Sequence, residues 1–292
     1  MRVHLLDGTY ELFRHYYGVP SHQDAGGVEV GAVRGVLGTV LTMLEDGATH
    51  LGVATDHVIE SFRNDMWPGY KTSAGIEPEL LAQFPLLEES LVAAGVTVWP
   101  MVDQEADDGL AAAAKVAADD PRVEQVFICT PDKDLGQCVH DPRIAQLDRR
   151  QSKLLDEAAV KEKFGVAPQS IPDYLALVGD SADGFPGLKG WGAKSASAVL
   201  ARYDHLETIP VHAHDWDVTV RGAVKLATTL AAEHELAFLF RDLATLRTDA
   251  DVGRVDDWEW KGPTAELDDW AERLGASGAA ARAERLTKRT SA

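Results

Sequence analysis

The chain reads as an α/β protein with a mostly parallel sheet and flanking helices, continued by a helical region. Short apolar runs alternate with helical patterns from residue 1 to about 165, which is how a parallel sheet with covering helices is written in sequence. Beyond Gly165 the alternation gives way to helices around a glycine-rich loop. The third observation is that five apolar runs finish on acid. Val3–Leu6 runs into Asp7, and Leu51–Thr55 into Asp56. Val96–Trp99 is followed by Glu105, Asp107 and Asp108, and Val126–Thr130 by Asp132 and Asp134. Leu175–Val178 leads to Asp180 and Asp183. Read as buried strands lying side by side, these runs bring nine carboxylates to one rim, where ligands of such sheets collect.

The elements follow in order. A helix after Asp7 carries Leu12, Phe13 and Tyr16, and a second spans about residues 30 to 44. Residues 60 to 80 break the pattern with Pro68, Gly69, Gly75 and Pro78. They read as a loop or short helical excursion above the sheet edge. Pro78 opens a helix that continues to about Ala94. A helix from Glu105 to Val116 starts on acids that the macrodipole favours. Asp156 caps a helix that ends at Gly165. From there to Arg247 the run before Asp180 is the one strand expected among helices. The last forty residues hold Trp258, Trp260 and Trp270, expected as a packed extension before a frayed basic tail.

Composition narrows the function classes. At 292 residues the chain can bury a sizeable core. No apolar stretch is long enough to cross a bilayer, and the N-terminus meets acid at Asp7, too early for a secretory signal. Cys129 and Cys138 show no zinc or redox spacing, so a reducing cytoplasm is the expected location. The ten histidines are scattered apart from His212 and His214, and read as structural or exposed. A net charge of −19 argues against a global field that attracts nucleic acid. Any such contact must use local basic patches. A salt-adapted surface is the other reading of the excess.

The acids themselves point to metal. Two unit charges about 5 Å apart repel by roughly 3 kcal/mol at an effective dielectric of about 20. Nine such groups on one rim need protons or divalent cations between them. Each acid taken singly could be a helix cap, but caps have no reason to prefer one end of successive strands. Gly187, Lys189, Gly190, Gly192, Lys194 and Ser195 form a second motif between two helices. Its glycines expose backbone N–H groups to an anion, and its lysines supply charge for phosphates. Arg63 and Lys71 flank the excursion over the rim, and Arg14 lies two helical turns beyond Asp7. Cations above a carboxylate site suit a phosphodiester. Tyr70 beside Lys71 could stack on a base or pack in the core.

These motifs together resemble the 5′-nuclease domain of bacterial DNA polymerase I, within the flap endonuclease superfamily. The resemblance runs in order over about residues 1 to 250. It rests on Leu6-Asp7-Gly8, Ser61-Phe62-Arg63 with Gly69-Tyr70-Lys71, Glu105-Ala106-Asp107-Asp108, Asp132-Lys133-Asp134-Leu135 and Gly179-Asp180-Ser181-Ala182-Asp183 with its glycine hairpin. It implies a PIN-like nuclease domain over 1–165 with a helical arch at about 60–90. A helix–three-turn–helix DNA-binding region would follow at 166–250, then an extension at 251–292. Asp7, Asp56, Glu105, Asp107, Asp108, Asp132, Asp134, Asp180 and Asp183 would hold two or three Mg²⁺ or Mn²⁺ ions, directly or through water. Arg14, Arg63 and Lys71 would steer the scissile phosphate, and the module's loop would take K⁺. The chain departs from the usual pattern at Thr72-Ser73-Ala74-Gly75, where relatives carry further basic residues, and at Pro131, Gly136 and Trp191.

The expected activity is that of a free-standing, monomeric 5′-3′ exonuclease and flap endonuclease. It would hydrolyse phosphodiesters of DNA with 5′ ends, flaps or nicks, and of RNA primers, in replication or repair. A non-catalytic DNA-structure binder on the same fold is the alternative. A dehalogenase-type phosphatase fits less well, because Leu5 stands where that chemistry needs a nucleophilic aspartate.

Overall fold

A computed structural model describes residues 1–290. In chain order the first elements are β1 (Arg2–Asp7), α1 (Gly8–Gly18), α2 (Gly31–Glu45), β2 (His50–Asp56), α3 (Phe62–Met66), α4 (Pro78–Leu81) and α5 (Gln83–Ala93). Then come β3 (Thr97–Met101), α6 (Ala106–Asp119), β4 (Gln125–Cys129), β5 (Ile144–Asp148), β6 (Lys153–Leu155) and α7 (Glu157–Phe164). The remainder is helical: α8 (Ile171–Val178), α9 (Ala193–Tyr203), α10 (Ala223–Ala232), α11 (His234–Ala244), α12 (Leu267–Arg273) and α13 (Ala279–Thr290). The chain divides into two compact units. One holds Met1–Ile59, Ser73–Thr130 and the chain from Thr248 on; the other holds Glu60–Thr72 and Pro131–Arg247.

The first unit is built on four parallel strands in the order β3-β2-β1-β4. Parallel strands are covered on both faces, and all seven residues of β2 are buried. Gly52 in β2 has a steric reason: a Cβ there would lie 2.1 Å from the Trp99 ring of β3. Trp99 packs edge-on against Trp258, and both indoles donate to the Val252 carbonyl, at 3.1 and 2.8 Å. Trp258 and Trp260 thus belong to this core, with Trp260 donating to the Ala94 carbonyl at 2.8 Å, while Trp270 is half-buried. The tail expected to fray is instead helical. Ala283 and Leu286 of α13 are buried, and Arg282 pairs with Glu45. Residues 291–292, the end of the expected extension, lie outside the described residues.

The excursion after β2 contains only the short α3 and α4. Residues 83–93, at the end of the segment expected to arch, form a core helix in which Leu87 and Leu91 are fully buried. The second unit has the antiparallel pair β5–β6 and a helical core around Ile171, Leu175, Phe185 and Phe240. Here one expectation fails: Leu175–Val178 is the last turn of α8, not a strand. The helix is buried, so its apolar run continues around the cylinder and mimics a buried strand. Pro172 in its first turn fits helix initiation. At Asp156 the expected cap is present, with its carboxylate accepting from the Ala159 amide at 2.8 Å. Gly165 closes α7 at φ +75°.

Candidate metal centre

In the first unit the acids at the strand ends are held by the backbone around them. Asp7 caps α1, one carboxylate oxygen accepting from the Tyr10 amide and the other from the Thr130 hydroxyl, both at 2.8 Å. Asp56 accepts from the Ala106 amide at 2.6 Å, while its own amide donates to the Thr9 hydroxyl at 2.8 Å. Register pairs Asp7 with Ala54, two residues before Asp56 on the neighbouring strand, so both acids share one face and one end of the sheet. Glu105 and Asp108 close a reciprocal capping box at the start of α6. All four are buried, and Asp107 beside them is half-buried. The caps that compete with a metal reading at single positions are therefore real, but they share carboxylates with the strand-end group.

The second unit carries a tighter cluster. Asp134, Asp180 and Asp183 each offer a carboxylate oxygen, and these oxygens lie within 4.8 Å of one another. A hairpin shapes it. The Asp180 amide donates to the Phe185 carbonyl at 2.8 Å, and Gly184 and Phe185 donate back to the Asp180 carbonyl. Asp180 also accepts from the Ala182 amide at 2.9 Å and pairs with Lys133. Lys71 Nζ lies 3.1 Å from Asp183 Oδ1. Asp132 is exposed, and its carboxylate accepts from the Asp134 amide at 3.0 Å.

Asp134 is the stressed member. Burial first, then the charges of Asp132, Asp183 and Asp180, push its carboxyl well above the usual aspartate range. Its Oδ1 is buried without a hydrogen-bond partner. A buried carboxylate oxygen left unpaired beside two more carboxylates fits a divalent cation, a hard ion that takes oxygen ligands.

The cations expected to steer phosphate fall into different settings. Arg14 is half-buried and braced by the buried Glu11, with His15 Nε2 at 2.8 Å. Arg63 is 1% exposed and donates to the carbonyls of Leu243 and Thr245, at 2.8 and 3.2 Å. Lys71 is tied to Asp183 within the acidic cluster. Tyr70 is buried in the second unit's core. Its ring is packed among apolar side chains, as in the core-packing alternative of the sequence reading.

The glycine turn between α8 and α9 is closely packed at one end and open at the other. Gly187 has φ +67°, and a Cβ there would meet the Gly179 amide nitrogen at 2.3 Å, so backbone lies directly on backbone. Gly190 also has positive φ, with nothing within 4 Å of a Cβ. Lys189 and Lys194 are exposed, and the Gly192 amide donates to the Ser195 hydroxyl at 3.1 Å. Lys133 was missed by sequence reasoning. Its position between two candidate ligands was the available signal.

Comparison with known proteins agrees over nearly the whole chain. Residues 2–165 match the family model of the 5′-3′ exonuclease N-terminal resolvase-like domain, and residues 166–266 that of its C-terminal SAM fold. DNA polymerase I of Pseudomonas aeruginosa is 34% identical over 260 residues, which cover 85% of this chain and 27% of that protein. The chain thus spans about a quarter of that relative's length. A 5′-3′ exonuclease of Aquifex aeolicus is 32% identical over 209 residues, 71% of each chain. Among solved structures, T5 5′-exonuclease with bound zinc superposes with a TM-score of 0.66 at 16% identity, over 99% of this chain and 98% of that one. Flap endonuclease-1 from Methanococcus jannaschii gives 0.64 at 14% identity, over 99% and 93%. Those likenesses establish the fold, while the sequence matches place this chain in the 5′-3′ exonuclease family.

Proposed function

We propose that this chain is a divalent-metal-dependent 5′-3′ exonuclease and structure-specific flap endonuclease that hydrolyses DNA phosphodiesters to 5′-phosphate products. The observation that carries the reading is the Asp134–Asp180–Asp183 cluster with its unpartnered Asp134 oxygen. Among solved structures similar in fold, T5 5′-exonuclease holds divalent zinc, and the bacteriophage T5 D15 flap endonuclease holds DNA and metal ions.

The fit of the donor set to Mg²⁺ or Mn²⁺ is good: hard oxygen ligands, more carboxylates than a single ion uses, and one oxygen with no other partner. We assign Asp134, Asp180 and Asp183 to this group, with Asp132 at its exposed edge. Asp7, Asp56, Glu105, Asp107 and Asp108 complete the proposed ligand set, for two or three ions in all. Bound ions would supply a nucleophilic water of lowered pKa and charge stabilisation at the leaving oxygen. The chain's own residues do the rest. Lys71 and Arg14 are assigned to the scissile phosphate as positioned charges. Arg63, committed to carbonyls, is assigned to bracing.

The division of labour follows the family-model boundary at 165/166. Residues 1–165, with an arch drawn from 60–90, carry most of the proposed ligands; residues 166–250 add Asp180 and Asp183 and grip DNA; residues 251–292 complete the fold. The turn containing Gly187, Gly190 and Gly192, with Lys189, Lys194 and Ser195, is assigned to the DNA backbone and to K⁺. RNA primers, a monomeric state and the cytoplasm belong to the same proposal.

Incubating 5′-labelled flap and nicked duplexes with the protein and Mg²⁺, with EDTA as control, tests it. EDTA-sensitive release of 5′-phosphorylated products is expected. A gel shift without products would replace the reading with that of a DNA-structure binder.

A further inference from the structure

Lys133 stands between two proposed ligands in sequence and touches a third in space. Its Nζ pairs with Asp180 Oδ2, while Asp180 Oδ1 accepts from the Ala182 amide. Both oxygens of this buried carboxylate are therefore committed, one of them to a cation that the protein supplies. The Lys133 side chain is 34% exposed, so the ammonium can turn out to solvent by rotating its flexible stem.

Resting on the metal-site reading above, we propose that Lys133 is a resident cation that competes with the divalent ion for Asp180 and so sets the cluster's ion affinity. An ammonium on Asp180 Oδ2 occupies part of that oxygen's lone-pair capacity. It also repels a dication brought to the same carboxylate in a partly buried site. Ion binding is therefore weakened for as long as Lys133 stays on Asp180. The competition works against non-selective uptake of weakly held ions. It also returns a positive charge to the rim of the site once the ion is in place. No proton is transferred and no bond is made or broken in this exchange.

Calorimetric titration of Mn²⁺ into the full chain tests the idea, comparing wild type with Lys133→Met, Lys133→Gln and Lys133→Arg. Lys133→Met should bind Mn²⁺ about tenfold more tightly, equivalent to about 1.4 kcal/mol. Lys133→Arg, which keeps the charge, should stay near wild type. Lys133→Gln gives the same reading as Met should the apolar variant fail to fold, since a polar side chain suits a one-third exposed position. Unchanged or weaker Mn²⁺ binding by the neutral variants would overturn the inference while leaving the metal site intact. So would equal tightening by Lys133→Arg. Absence of Mn²⁺ binding by folded wild type would instead overturn the metal-site reading, and this inference with it.

Discussion

Lys71 and Asp183 are joined twice: the Lys71 ammonium lies 3.1 Å from the Asp183 carboxylate, and the Lys71 amide donates to the Asp183 carbonyl at 2.9 Å. The backbone bond fixes where the lysine starts, and the ion pair fixes where its charge rests. A cation placed this way can act on a phosphate without searching for it. Lys71→Ala should therefore lower single-turnover cleavage by about 100-fold, the scale of losing one positioned electrostatic group. Duplex affinity should fall by less than about threefold, as expected for one phosphate contact among several. Equal losses in cleavage and in affinity would remove Lys71 from the scissile phosphate.

Asp134→Asn separates chemistry from folding. The substitution removes a carboxylate that burial and three neighbouring acids disfavour. Cleavage should drop below detection while DNA binding persists. In EDTA the variant should melt higher than wild type, by roughly 2–4 °C for each kcal/mol of relieved repulsion in a chain of this size. A variant that is both inactive and less stable would mean that Asp134 is a structural acid.

Much of this was legible in the sequence, for identifiable reasons. Asp7 and Asp56 announced strand ends because a parallel strand covered on both faces carries charge most readily at its last residue, where backbone and hydroxyl donors meet it. Asp156 and Gly165 bracketed α7 because caps act locally. Leu175–Val178 misled because burial on all sides erases the helical period that distinguishes a helix from a strand. The fate of Arg63 was invisible: its carbonyl partners Leu243 and Thr245 lie about 180 residues away, and no local pattern encodes them. Tyr70 and Lys71 are adjacent in sequence, yet one turns into the core and the other pairs with Asp183.

His50 gives the first unit a pH dependence. It sits at the start of β2, 8% exposed, with its Nδ1 3.0 Å from the Thr49 hydroxyl. Burial lowers its pKa from the ordinary 6.5, with Glu259 and Asp256 partly opposing. Between the depressed folded value and 6.5, the unfolded chain binds the extra proton. Stability is then present above 6.5 and lost as pH falls through the folded value. One such group contributes at most about 1.4 kcal/mol per pH unit. Urea midpoints measured from pH 7.5 down to 5 should fall for wild type and fall less steeply for His50→Gln. Parallel curves would place the pH sensitivity elsewhere.

The glycine turn should reveal itself through salt. Lys189 and Lys194 are exposed on either side of Gly190 and Gly192, at the entry to α9. If each neutralises one phosphate, each releases about one counterion on binding. The double variant Lys189→Ala/Lys194→Ala should then lower the slope of log affinity against log salt by about 2. The loss should be the same for unrelated duplex sequences, because phosphate contacts carry no base information. Turnover at saturating substrate should change little, since neither lysine belongs to the carboxylate cluster. Anisotropy titrations of a labelled duplex at several KCl concentrations read the slope directly. A variant with reduced affinity but an unchanged slope would show that the lysines shape the turn and make no phosphate contact.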